Sequence, residues 1–124
     1  MIGPYWEKCF EIGDEDGIRK FAESIGDNNP LHHDDEAAKR AGLLGIIEPG
    51  VRTVGRVSST IADRIPGVMV RKLEMEFLNP LYAGSFLSVL CTVKWQRRRL
   101  ASVIVTLRSG FDVVAKGTCL LVLP

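Results

Sequence analysis

No apolar run in this 124-residue chain approaches the ~20 residues that a membrane-spanning helix needs. Cysteine is scarce. Cys9, Cys91 and Cys119 are odd in number and widely spaced, each in an apolar, strand-like context. They read as reduced core thiols of a cytoplasmic protein, which excludes a disulfide framework and argues against a nucleophilic cysteine. Charge of one sign is missing too. Sixteen Lys and Arg stand against fifteen Asp and Glu, for a net +1, so composition gives no electrostatic case for nucleic acid or a membrane surface. The opening Met1-Ile2-Gly3-Pro4 lacks the charged-then-apolar order of a secretion signal. Nor is there an internal repeat, a linker or a low-complexity tract. A chain of this length reads as one domain over residues 1–124, with bulk for a single core.

What is present is concentrated at Gly26-Asp27-Asn28-Asn29-Pro30-Leu31-His32. A carboxylate and an imidazole stand five residues apart here, a separation of ~17 Å if fully extended. The residues between them shorten it. Asn28 and Asn29 favour tight turns through their side-chain amides, and Pro30 fixes its own φ while pushing Asn29 into an extended shape. The chain can therefore fold back and aim Asp27 and His32 at one small volume, where an acid and a base can move a proton.

Helix signals flank this turn. Ile18, Phe21, Ala22 and Ile25 recur at helical spacing, Asp14 is a plausible N-cap, and Gly26 is placed to end the helix. Downstream, Asp34, Asp35 and Glu36 open a short helix that Gly42 would close. Tyr5 to Ile12 could be an opening strand with Trp6, Lys8, Phe10 and Ile12 on one side. A longer helix begins near Gly50, with Val51, Val54, Ser58, Ile61 and Ile65 as its apolar stripe, and Arg52, Arg56, Ser59 and Asp63 on another face. Pro66-Gly67 stops it. Strands follow, carrying alternating Leu73, Met75 and Phe77, then Leu87 to Trp95, Ala101 to Leu107, and Val113 to Val122. The pattern is α+β: an antiparallel sheet wrapped around one buried helix. Four or five strands leave an open edge, which a second copy could cover.

The segment Gly26 to His32, followed by the small residues Ala37 and Ala38, resembles the hydratase motif G-D-x-N-P-[aliphatic]-H of the MaoC-like, or (R)-specific enoyl-CoA hydratase, family. The resemblance implies a hot-dog fold and reversible addition of water to the double bond of a trans-2-enoyl thioester. No cofactor is implied. It also implies a homodimer or dimer of dimers acting on acyl-CoA, or on an acyl-carrier protein. Asp27 and His32 match the catalytic pair. Gly50 matches the backbone donor that holds the thioester oxygen, although family members often carry histidine where this chain has Pro49. Ser58, eight residues after Gly50, matches the serine that supports the polar network.

The remaining polar residues keep more than one reading. Asn29, Arg52, Arg56 and Arg98 are the candidates for substrate contact. Arg52 and Arg56, one turn apart near the start of the long helix, would suit a polar or carboxylated acyl chain, or an interface salt bridge. Arg97-Arg98-Arg99 is most simply a solvated hairpin turn, and arginine also suits the phosphates of coenzyme A or a carrier protein. His32-His33-Asp34-Asp35-Glu36 has the composition of a metal site, but consecutive residues fan out and no H-x-x-x-H spacing occurs, so no metal is expected. Competing functions on the same scaffold are a 3-hydroxyacyl-carrier-protein dehydratase, a thioesterase, and a non-catalytic acyl-thioester binding subunit.

Overall fold

Alternation along Leu100–Ser109 becomes one fully buried face in the folded chain: Ala101, Val103, Val105 and Leu107 have no exposed surface. Burying a valine or leucine is worth roughly 1.5–3 kcal/mol over leaving it in water, so this row anchors the molecule. The structure is a computed structural model describing residues 2–124; Met1, the start of the opening stretch, lies outside the described residues. In chain order the elements are β1 (Tyr5–Glu11), α1 (Glu15–Ser24), a 3-10 turn (Pro30–His32), α2 (Asp35–Arg40), α3 (Gly50–Arg64), β2 (Met69–Phe77), β3 (Phe86–Arg97), β4 (Leu100–Ser109) and β5 (Asp112–Val122). The strands form one antiparallel sheet in the order β1-β3-β4-β5-β2. Its two edges are β1 and β2.

The long helix packs on β1 and β3. The buried Trp6 indole N–H donates to the Thr60 carbonyl at 3.1 Å, tying β1 to the middle of α3. Here the stripe drawn from apolar periodicity needs correction. The residues of α3 that are buried are Thr53, Val57, Thr60 and Ile61, whereas Val51 is 62% exposed and Ser58 is exposed. Counting threonine as polar rotates the inferred face. Threonine can be buried because its hydroxyl is satisfied within reach: Thr60 donates to the Arg56 carbonyl at 2.8 Å and Thr53 donates to a carboxylate at 2.6 Å.

The cysteines also divide. Cys91 and Cys119 are buried as expected, and burial pushes their thiols up to about 12 and about 11. Cys9 is exposed, not a core thiol. Its neighbours Lys8 and Phe10 take the inward positions of β1, and period-two alternation turns Cys9 outward. Among the described residues, no helix is long and apolar enough to cross a membrane.

Candidate active site

The end of α1 places Asp27. Gly26, at φ +71°, adopts the left-handed conformation that glycine accepts without strain, its N–H donating to the Glu23 carbonyl at 3.1 Å. The Asp27 N–H then donates to the Ala22 carbonyl at 2.9 Å, completing a Schellman motif. A hydrophobic residue commonly occupies the position after the glycine; here it is the carboxylate. The turn closes through side chains. Asp27 Oδ1 accepts from the Asn29 N–H at 3.0 Å, and Asn29 Oδ1 accepts from the Leu31 N–H at 3.1 Å, capping the 3-10 turn that carries His32. Asn29 is thus committed to the turn. Its side-chain oxygen holds backbone.

His32 is buried, and its Nδ1 lies 2.7 Å from the Ile47 carbonyl oxygen. A carbonyl only accepts, so Nδ1 carries a proton and donates it. In the neutral ring Nε2 is then an acceptor, and it faces Asp27 Oδ2 at 3.6 Å. That separation exceeds a hydrogen bond. With His32 in this neutral tautomer and Asp27 as carboxylate, the site would present two acceptors that need a donor between them. The bent loop brings together the pair expected from the sequence.

The beginning of α3 faces the same place. Pro49 is its N-cap and makes no side-chain capping bond. Helix geometry leaves the first N–H groups, that of Gly50 included, without an acceptor inside the helix, and concentrates partial positive charge there. Gly50 and His32 line one cavity of about 430 Å³, together with Thr53, Phe77, Leu81 and Val114. That volume lies within the ~300–1,000 Å³ usual for small-molecule sites. A Cβ on Gly50 would meet the Phe77 ring at 3.1 Å, so the missing side chain leaves room for Phe77 to pack against the helix tip. Asp27 does not line this cavity. It meets the imidazole from beside it, 29% exposed.

Other candidates lie elsewhere. Arg52 and Arg56 turn inward to Glu48: Arg56 Nη2 and Nε donate to Oε1 at 2.8 and 3.2 Å, and Arg52 Nε lies 3.5 Å from the same atom. The ion pair foreseen between subunits is formed within the chain, and neither arginine lines the cavity. Arg98 sits in the β3–β4 turn beside Trp95 and Leu100, apart from the cavity. The exposure of Ser58 removes the buried setting in which its hydroxyl was expected to serve His32. Sequence reasoning missed two contributors. His33 Nε2 donates to the Asp27 carbonyl at 2.6 Å, bracing the turn, and Glu48 is a fully buried carboxylate lining the cavity. Nothing in a lone acidic residue beside Pro49 announces burial.

The chain is similar to known proteins over most of its length. The profile of the MaoC like domain matches residues 7–113. The 3-hydroxybutyryl-CoA dehydratase of Methylorubrum extorquens is 30% identical over 118 residues, 92% of this chain and 74% of that protein. A mitochondrial 3-hydroxyacyl-[acyl-carrier-protein] dehydratase of Solanum lycopersicum is 31% identical over 83 residues, 67% of this chain and 50% of that protein. Among solved structures, the (R)-hydratase from A. caviae involved in PHA biosynthesis superposes with a TM-score of 0.90 at 19% identity, covering 100% of this chain and 97% of that one. The ChsH1-ChsH2 complex from Mycobacterium tuberculosis gives 0.90 at 21% identity, over 100% and 98%. Such likeness at low identity establishes the hot-dog fold. With the matched profile and the named relatives it leads to one conclusion: the chain belongs to the MaoC-like dehydratase family and is an enzyme of the hydratase/dehydratase class.

Proposed function

We propose that this protein is an (R)-specific enoyl-CoA hydratase, adding water reversibly to trans-2-enoyl-CoA to give (R)-3-hydroxyacyl-CoA. The observation that carries this reading is the pair of acceptors, His32 Nε2 and Asp27 Oδ2, held 3.6 Å apart beside the cavity that Gly50 lines. A water ~2.8 Å from each can donate one O–H to each and keep a lone pair for the substrate. That lone pair attacks Cβ of the enoyl group as one of its protons passes to the Asp27–His32 pair. Negative charge develops on the thioester oxygen, where the Gly50 N–H and the positive end of α3 stabilise it. The pair then returns a proton to Cα from the same side. The thioester itself supplies the activation, so the reaction as written needs no cofactor.

The substrate handle has a second reading. Similarity to the tomato carrier-protein dehydratase supports the reverse reaction, loss of water from a 3-hydroxyacyl group on an acyl-carrier protein. The Asp27–His32 chemistry is the same in both directions. One assay separates these readings from a thioesterase. The protein is mixed with a short trans-2-enoyl-CoA, and both the conjugated ultraviolet absorbance and free thiol are followed. Loss of absorbance without thiol, with (R)-3-hydroxyacyl-CoA as product, is the expected result. Thiol release would identify a thioesterase. Inertness toward the CoA ester together with turnover of a carrier-protein ester would move the substrate to the second reading.

A further inference from the structure

We propose that Glu48 is a positioning residue of the active site, its buried carboxylate holding the acid–base pair and the tip of α3 in one frame; this rests on the hydratase reading above. Its side chain has no exposed surface, and a buried carboxylate is costly unless it is paired and fully hydrogen-bonded. The partners come from one place, the first two turns of α3. Thr53 Oγ1 donates to Oε2 at 2.6 Å, Arg56 donates twice to Oε1, and Arg52 Nε approaches Oε1 at 3.5 Å. Each arginine also lies over an aromatic ring, Arg52 over Phe21 at 5.7 Å and Arg56 over Phe10 at 5.4 Å to the centroid. The carboxylate therefore fastens residue 48 to the helix in a fixed geometry.

The backbone beside this anchor does the site's work. The Ile47 carbonyl accepts the His32 Nδ1 proton at 2.7 Å, which leaves Nε2 free to face Asp27. The Ile47 N–H donates to the Leu31 carbonyl at 3.0 Å, and the Glu48 N–H donates to the Leu81 carbonyl at 2.8 Å. Two residues on from Glu48 comes Gly50 at the helix tip. One short strap thus carries both the group that fixes the imidazole tautomer and the donor proposed for the thioester oxygen. If the strap shifts on α3, the distance between attacking water and oxyanion donor shifts with it. Stability alone does not require a carboxylate here, because well-packed apolar residues often replace buried ion pairs without loss.

Glu48→Gln keeps the side chain's size and removes its charge, and Thr53→Val removes one donor while keeping the shape. Both are compared with the unchanged protein in three measurements: turnover of a short enoyl-CoA, thermal unfolding, and ring-nitrogen NMR of His32, assigned with the His32→Gln variant. The expected result for Glu48→Gln is a fall in kcat of about 10- to 100-fold per folded molecule with KM little changed, since misplaced catalytic groups cost about this much. The His32 signal should move from a protonated Nδ1 toward a mixture of tautomers. Thr53→Val should act in the same direction by less, and it decides the matter if Glu48→Gln does not fold. A folded variant with unaltered kcat and an unaltered Nδ1–H signal would overturn the proposal, as would a lowered unfolding temperature with neither change. If the unchanged protein does not hydrate enoyl-CoA, the hydratase reading fails, and the tautomer measurement still decides the role of Glu48.

Discussion

At the scale of single residues, what is absent at Gly50 matters as much as what is present at Asp27 and His32. In the proposed reaction the helix-tip N–H of Gly50 meets the thioester oxygen, and a Cβ at this position would meet the Phe77 ring at 3.1 Å. Phe77 is 50% exposed and free to yield. Gly50→Ala should therefore fold, with an unfolding temperature within a few degrees of the unchanged protein, while hydration falls at least about tenfold as the methyl group displaces the substrate oxygen from its donor. Calorimetry beside the absorbance assay checks both halves. The cysteines give a second prediction. Burial raises the Cys91 thiol to about 12 and the Cys119 thiol to about 11, whereas an unfolded thiol ionises near ~8.5. Above that pH the folded chain holds more protons than the unfolded one. The stability contributed by these thiols is thus complete below ~8.5 and declines as pH rises toward 11–12. Urea midpoints measured from pH 8 to 10.5 should fall, and fall less steeply in a Cys91→Ala, Cys119→Ala double variant. Below that range only Cys9, the exposed thiol, should react quickly with an alkylating reagent.

At the scale of elements, the β3–β4 turn carries strain that the sequence does not advertise. Arg97 pairs with Leu100, leaving a two-residue loop whose first member, Arg98, has φ +56°. Glycine is favoured at such a position and arginine is not. Arg98→Gly should stabilise the fold by about 0.5–1 kcal/mol, raising the unfolding temperature by a few degrees with enoyl-CoA turnover unchanged. What could be read from the sequence followed from how local each signal is. The Asp14 cap of α1, the glycine that ends it, and the Asp27–Asn29–Pro30 turn are decided by neighbours within a few residues, and each appears as expected. Strand alternation in β4 survives for the same reason. The buried face of α3 was not legible, because it depends on which hydroxyls find partners: Thr53 is inside because Glu48 is there to receive its proton. Glu48 was invisible in turn, since only the fold brings Arg52, Arg56 and Thr53 to one carboxylate.

At the scale of the whole molecule, the sheet has two unequal edges. The outer strand β1 is seven residues long and carries Glu7, Lys8 and Glu11, with Tyr5 as its exposed large apolar residue. The other, β2, is nine residues long and carries Arg71, Lys72, Glu74 and Glu76, and Met69, Val70 and Phe77 are also exposed along it. A homodimer of the kind the family resemblance implies is expected to pair at β2, the edge with more exposed large apolar residues. Light scattering should report at least twice the 13.7 kDa of the chain, and Val70→Lys should shift the population toward monomer. Phe77 ends β2 and lines the cavity, so that edge and the site adjoin. Turnover by the intact protein tests the shared water most directly. Initial rates of enoyl-CoA hydration are compared for the unchanged chain, Asp27→Asn and His32→Gln, each with its unfolding temperature. Both variants should unfold at nearly the original temperature and lose about 10²–10⁴-fold in rate. A folded Asp27→Asn or His32→Gln protein that hydrates at nearly the original rate would contradict the pair's role.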